Sequence, residues 1–173
     1  MKQLSLEFAL FQGCRRGLLA DLLASCYAPL LEHLPTVKVA ELRVDWADYD
    51  DAVHTEPDTI GESGFLTRLG TQVIGFASWD PRGWPDVGSV GHNCIIPEFQ
   101  GHGYGRRQVE EVLSLFHRKG FRRVQVRTDA HPFFEPARRM YERCGFQVVG
   151  REPGVLLDGF EMLVHERALS GAV

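Results

Sequence analysis

The chain has 173 residues, of which 44% are apolar and 24% are charged, a composition typical of one globular domain. Its net charge of −4 disfavours general binding to nucleic acid, and no stretch approaches the roughly 20 apolar residues that a membrane span needs. The charge is uneven, because residues 1–99 carry 7 Lys and Arg against 14 Asp and Glu, whereas residues 100–173 carry 12 against 9.

The chain has four cysteines, and none forms a C-x-x-C pair with another: Cys14, Cys26, Cys94 and Cys144. This spacing gives no basis for a metal site, so we expect none. Residues 1–10 alternate in polarity instead of forming the apolar run of a signal peptide. We therefore expect a cytoplasmic protein with four reduced thiols.

The N-terminal third predicts a strand followed by helix. Residues 3–10 alternate as a strand does, and apolar spacing predicts a helix from about Arg15 to Leu34 that bends at Pro29. The acidic stretch Glu41 to Glu62 lacks such spacing, so we expect it to be irregular with a short helix near residues 46–54.

The remainder predicts a β-hairpin and then alternating strands and helices. The elements expected in order are strands at 65–69, 73–79 and 89–96, a helix at 103–119, a strand at 124–128, a helix at 136–144, and strands at 146–149 and 160–165. This order predicts an α/β (α+β) fold, with a mixed sheet of about six or seven strands flanked by about four helices.

The most informative segment is a glycine-rich turn between a strand and a helix, Gln100-Gly101-His102-Gly103-Tyr104-Gly105-Arg106. Glycines let the main chain turn tightly and approach a ligand closely. The start of the helix then offers unpaired N–H groups and a positive dipole end, which together suit a phosphate.

Three phosphate-binding motifs compete for this turn. A P-loop would need Lys and Ser or Thr after Gly105, and a dinucleotide fingerprint would need glycine where Arg106 stands. The pattern Q/R-x-x-G-x-G/A is met in full by Gln100, Gly103 and Gly105.

That pattern resembles the coenzyme A signature of the GNAT acetyltransferase superfamily. Two flanking segments strengthen the likeness: Ile95-Ile96-Pro97-Glu98 is similar to the usual V-x-P-E approach, and residues 137–146 are similar to the helix and strand A-x-x-x-Y-x-x-x-G-F. The resemblance covers about residues 65–168 well and implies a single GNAT domain over residues 1–173.

The resemblance also implies where acetyl-CoA binds. The main chain of Ile95 and Ile96 would align the pantetheine arm like an added strand, and the N–H groups of the turn would hold the pyrophosphate. The implied cofactor-binding residues are Ile95, Ile96, Gln100, Gly101, His102, Gly103, Tyr104, Gly105, Arg106 and Phe134. Phe134 stands where many members have an Asn that contacts pantetheine, so we expect apolar cover there instead.

Three residues are candidates for the chemistry. Tyr141 matches the family tyrosine near the thioester sulfur and would protonate the leaving thiolate. The acceptor amine must lose a proton before it attacks, and His92 is a candidate base because the ordinary pKa of histidine lies near neutrality. Asn93 would bind or hold a water, and the two side chains should face opposite sides of their strand.

These features predict an N-acetyltransferase that moves an acetyl group from acetyl-CoA directly to an amine in a ternary complex, as a monomer or homodimer. The high density of Asp and Glu residues between positions 45 and 62 predicts a positively charged acceptor. The alternative is a non-catalytic acyl-CoA sensor or interaction module on the same fold.

Overall fold

The computed structural model describes residues 5–154, 157 and 159–169. Its sheet has seven strands in the order β1-β2-β3-β4-β5-β7-β6, and five α-helices accompany it among the described residues. The elements are β1 (Leu6–Leu10), α1 (Leu18–Cys26), α2 (Ala28–Leu31), α3 (Thr36–Thr55), β2 (Gly64–Leu69), β3 (Gln72–Asp80), β4 (Val87–Ile95), α4 (Tyr104–Arg118), β5 (Arg123–Asp129), α5 (Glu135–Arg143), β6 (Gln147–Glu152) and β7 (Met162–Ala168). The predicted mixed α/β fold is confirmed.

The described chain divides into two compact units. The first comprises residues up to 78 together with 92–104, and the second comprises residues 79–91 together with 105 onwards. None of the described helices combines the length and the apolar character that a membrane crossing demands.

In the first unit, β1, β2 and β3 pair antiparallel around the predicted hairpin, whose turn places Gly70 at a φ of 60°. The long helix expected from Arg15 to Leu34 is instead two helices. The break falls at Tyr27, because Pro29 has no N–H and fits only within the first turn of the new helix α2.

The prediction for the acidic stretch is wrong: instead of an irregular segment with a short helix near residues 46–54, α3 is a regular helix of 20 residues. Its buried positions are Leu42, Trp46, Asp50 and Val53, a narrow stripe with one charged member. A stripe so narrow gives little amphipathic signal, so tertiary contacts must stabilise much of this helix.

Asp50 connects α3 to the start of α1. Its side chain is 3% exposed, and its two carboxylate oxygens accept hydrogen bonds from the N–H of Gly17 at 2.6 Å and that of Leu19 at 2.8 Å. The first N–H groups of a helix have no partner within the helix, so Asp50 caps α1 from another element.

A disulfide also lies within the first unit. Cys26, the last residue of α1, is bonded to Cys94 of β4 across 68 residues of sequence, whereas Cys14 and Cys144 are free. The expectation of four reduced thiols is therefore wrong for Cys26 and Cys94. Nothing in their sequence spacing indicates that these two thiols meet.

In the second unit, α4 connects two parallel strands and packs over them. The start of β4 pairs parallel with β5, which pairs antiparallel with β7, and β7 in turn pairs with β6. The predicted helix at 103–119 is observed as α4, and Val109, Val112, Leu113 and Phe116 form its buried face. A Cβ on Gly88 would lie 2.6 Å from the ring of Phe116, so only glycine allows this close approach.

We predict that Asp50→Ala lowers the free energy of unfolding by about 1–3 kcal/mol, because two helix N–H groups would lose their buried partner. Asp48→Ala is the matched control, since Asp48 is exposed on the same helix and its loss should change stability by less than about 0.5 kcal/mol. Urea unfolding of both variants measures the difference. Equal losses would mean that Asp50 does not hold α1.

Candidate functional site

The glycine-rich turn takes the chain from β4 into α4 through two left-handed glycines. A short 3₁₀ turn at Pro97–Phe99 follows β4, Gly101 and Gly103 have φ values of 79° and 81°, and α4 begins at Tyr104. A Cβ built on either glycine would meet no atom within 4 Å. Glycine is therefore required here for its backbone conformation, and the space beside it is open to a ligand.

Gln100 stabilises this turn through two hydrogen bonds. Its side-chain Nε2 donates to the carbonyl oxygen of Ile95 at 2.8 Å, and its own N–H donates to the carbonyl of Pro97. The N–H of Ile96 donates to the carbonyl of Ile74 on β3 at 2.9 Å. The first residue of the Q-x-x-G-x-G pattern thus organises the main chain, and part of the main chain of Ile95 and Ile96 already has protein partners.

The other implied cofactor-binding residues lie at or beyond this turn. His102 is exposed, with Nδ1 2.8 Å from the carbonyl oxygen of Gln100, and its ring stacks on Tyr104. Gly105 and Arg106 belong to the first turn of α4, and the Nε of Arg106 donates to Glu110 at 2.7 Å. Phe134 is buried in the second unit and packs edge-on against Phe133.

His92 lies in an aromatic environment in the first unit. Its ring centroid is 4.8 Å from that of Tyr49 on α3 and 5.7 Å from that of Phe76 on β3. Burial lowers the pKa of His92 to about 4, and burial raises the pKa of Tyr49 to about 12. Both side chains are therefore neutral at pH 7, and the expectation of a near-neutral pKa for His92 is wrong.

Asn93 follows His92 on β4 and is half-buried. Neighbouring side chains of a strand face opposite sides, so His92 and Asn93 cannot act on the same side of β4. Because His92 packs against Tyr49 and Phe76, Asn93 is directed away from that aromatic group.

Tyr141 lies on α5 in the second unit and is 4% exposed. Its ring centroid is 5.7 Å from that of Phe146 and 6.1 Å from that of His165. His165 is fully buried, its Nε2 lies 2.9 Å from the hydroxyl oxygen of Thr128, and burial lowers its pKa. Tyr141 thus belongs to a buried group with two further polar side chains.

Sequence reasoning missed His165, which gave no sign of any partner. Thr128, Tyr141 and His165 stand on β5, α5 and β7, and only the folded chain brings them together. The one available signal is weak: His165 ends the predicted strand 160–165 and shares a strand face with the apolar Leu163.

The acidic residues divide into an internal and an external set. Asp45, Asp48 and Asp51 are exposed on α3, whereas Asp50 is buried as the cap of α1. Asp51 pairs with Arg16. The described residues contain no group of three or more His, Cys, Asp or Glu side chains placed to hold a metal ion.

Comparisons with known proteins agree with this geometry. The model of the acetyltransferase (GNAT) family matches residues 20–146, well over half of the chain and including the glycine-rich turn. No curated protein matches the sequence. The resemblance drawn from the motifs is confirmed.

Solved structures resemble the fold at low sequence identity. A GNAT-family protein from Desulfovibrio desulfuricans has a TM-score of 0.75 at 16% identity, over 95% of this chain and 99% of that one. The yncA protein of Salmonella typhimurium, solved with its cofactor acetyl-CoA, has a TM-score of 0.63 at 15% identity over 99% and 98%. The ribosomal-protein-S18-alanine N-acetyltransferase of Escherichia coli has a TM-score of 0.55 at 18% identity over 64% and 70%.

We predict that protonation of His92 destabilises the fold in mild acid. Its pKa is about 4 in the folded protein and about 6.5 in an unfolded chain, so the unfolded state binds more protons between these values. Stability is therefore complete above pH 6.5 and is lost as the pH falls towards 4.

His92→Phe should remove about 1–3 kcal/mol of the stability loss between pH 7 and pH 4.5, and the exposed His33→Gln should remove none. Part of the loss should persist, because the pKa of His165 is also lowered. Urea unfolding at several pH values measures this. Parallel pH profiles for wild type and His92→Phe would contradict the assignment.

Proposed function

The chain belongs to the acetyltransferase (GNAT) family, and we propose that it transfers the acetyl group of acetyl-CoA directly to the nitrogen of an amine in a ternary complex. The observation that carries this proposal is the turn that places Gly101 and Gly103 in left-handed conformation at the start of α4, with open space beside both. On this proposal, residues 1–173 work as one GNAT domain.

The turn fits the pyrophosphate of the donor in chemistry and in space. The first N–H groups of α4 lack helical partners and carry the positive end of the helix dipole. Arg106 adds a guanidinium in the first turn, although Glu110 partly neutralises it. Acetyl-CoA supplies the activated acyl group when bound.

Tyr141 is the proposed proton donor to the leaving sulfur. A positioned hydroxyl favours transfer by giving a proton to the thiolate as that group departs. Packing against Phe146 and His165 fixes the ring, so the hydroxyl would be held in one place.

His92 is better suited to binding than to removing a proton. An amine such as a lysine side chain has a pKa of about 10.4, and a base of pKa about 4 accepts its proton poorly. We therefore assign His92, with Tyr49 and Phe76, to the wall of the acceptor side and assign deprotonation of the amine to water. Because Asn93 faces the opposite side of β4, it would hold a water there and would not contact the acceptor at this wall.

The exposed acidic residues of α3 support the proposal of a cationic acceptor. Asp45 and Asp48 are exposed on this helix, and such charge raises the local concentration of positively charged molecules. This attraction between exposed charges should fade as the Debye length falls from about 10 Å at 0.1 M salt to about 3 Å at 1 M.

A cytoplasmic location and a monomeric or dimeric state stay predictions. The Cys26–Cys94 disulfide counts against the first, because disulfides are rare in reducing compartments. The sensor alternative would keep the glycine-rich turn and lack turnover.

Thiol release from acetyl-CoA tests the proposal over a panel of polyamines, amino sugars, basic peptides and neutral amines, at 0.1 M and 1 M salt. We predict release with a cationic amine and roughly 100-fold slower turnover in Tyr141→Phe, which keeps the ring and removes only the proton donor. Tyr27→Phe, a tyrosine that packs on Trp46, should leave turnover unchanged.

Two results would count against this prediction. Tight acetyl-CoA binding with no thiol release for any amine would favour the sensor. Turnover of Tyr141→Phe within a few-fold of wild type would leave Tyr141 as a packing residue.

A second prediction concerns the turn. Gly103→Asp should weaken acetyl-CoA binding about tenfold more than Gly103→Asn, because the two side chains have the same shape and tolerate positive φ, and only Asp repels a pyrophosphate. Gly120→Asp is the control, since Gly120 has a φ of 78° and open space but lies after α4. Calorimetry giving equal affinities for the Asp and Asn variants would remove the pyrophosphate from this turn.

A further inference from the structure

A cationic groove lies within the second unit, between α4, the end of α5 and the end of β7. Its volume is about 530 Å³, and its charged lining consists of Arg106, Glu110, Arg143 and Arg167, with His117 at one end. None of the predicted site residues except Arg106 contributes to it.

The guanidinium groups of this groove outnumber its carboxylates. Glu110 is the single acidic residue in the described lining, and it pairs with Arg106 at 2.7 Å. Arg167 donates from Nη1 to the carbonyl oxygen of Cys144 at 2.5 Å, which fixes the side chain without neutralising it. Among the described residues, no carboxylate forms an ion pair with Arg143 or Arg167. The groove is therefore positive in a protein whose net charge is −4.

We infer that this groove binds the phosphoryl group of a phosphorylated small molecule, with Arg143 and Arg167 as the principal donors. A guanidinium offers paired N–H donors that match phosphate oxygens, and such charge-assisted hydrogen bonds are about twice as strong as neutral ones. The arginine already held by the Cys144 carbonyl is pre-organised, so it loses little side-chain entropy on binding.

The groove is suited to binding and not to catalysis. The thiol in its lining, Cys144, is buried, and burial raises the pKa of this thiol above its usual value. The thiol is then protonated at neutral pH and is a poor nucleophile.

Two sources would supply the phosphoryl group. Arg106 stands in the first turn of α4, and the groove continues from it to His117, eleven residues and about 16 Å along the helix. One source is the 3′-phosphate on the ribose of coenzyme A, and this assignment rests on the proposed function. The other source is a separate phosphorylated molecule, and this assignment is independent of the proposed function.

The experiment measures affinities for acetyl-CoA, for acetyl-dephospho-CoA, which lacks only the 3′-phosphate, and for inorganic phosphate. It uses wild type, Arg143→Gln, Arg143→Lys and the control Arg118→Gln, an exposed arginine of α4 outside the groove. Thermal shifts of each variant show whether it folds.

If the 3′-phosphate is the ligand, wild type and Arg118→Gln should bind acetyl-CoA about tenfold more tightly than its dephospho form. Arg143→Gln should lose that preference, and Arg143→Lys should keep part of it. If the ligand is separate, inorganic phosphate should bind wild type and not Arg143→Gln. The inference would be overturned if wild type neither bound inorganic phosphate nor preferred acetyl-CoA to its dephospho form. It would also be overturned if Arg143→Gln changed neither property. Continued acetyl transfer in either case would show that the proposed function does not depend on the groove.

Discussion

The left-handed backbone at Gly101 and Gly103 is the constraint on which the proposed site depends. The chain leaves β4 at Ile95 and begins α4 at Tyr104, so eight residues must convert a strand into a helix. Residues with a Cβ adopt positive φ at a cost of about 1 kcal/mol or more each, whereas glycine adopts it freely. Gln100 then fixes the turn by donating to the carbonyl of Ile95. This hydrogen bond stabilises the turn without any ligand, and such pre-organisation lowers the entropy cost of binding.

Elements stabilised by local patterns were predictable from the sequence. The helix α4 has a four-residue core face, a glycine-rich start and Gly120 at its end, and its bounds were predicted to within a residue. The helix α3 was not predictable, because its stripe is narrow and one of its buried members is Asp50. What holds α3 is a tertiary contact, the cap that Asp50 gives to α1, and tertiary contacts leave no periodic signal.

The candidate site divides in the same way. The glycine-rich turn and Tyr141 could be proposed from the sequence because their residues are close together in it, in patterns that resemble a family. The pKa values of the histidines could not be predicted, since a pKa depends on burial and burial depends on residues far away in sequence. His92 was expected to titrate near neutrality, yet contacts with Tyr49 and Phe76 keep it neutral down to about pH 4. The disulfide between Cys26 and Cys94 escaped prediction for the same reason, because 68 residues separate the two thiols.

The proposed ligands offer a physical reason for the uneven distribution of charge along the chain. Transfer from acetyl-CoA to an amine brings together a donor that carries several phosphate charges and an acceptor that is a cation in water. A single field over the whole protein would attract one of these and repel the other. Here exposed acidic residues are concentrated on α3 in the first unit, whereas the groove of the second unit is lined by Arg143 and Arg167, which form no ion pair with a carboxylate in the described part of the chain. The exposed acidic residues of α3 would attract a cationic acceptor and would repel the phosphate groups of acyl-CoA, so they favour the proposed enzyme over a sensor that binds acyl-CoA alone.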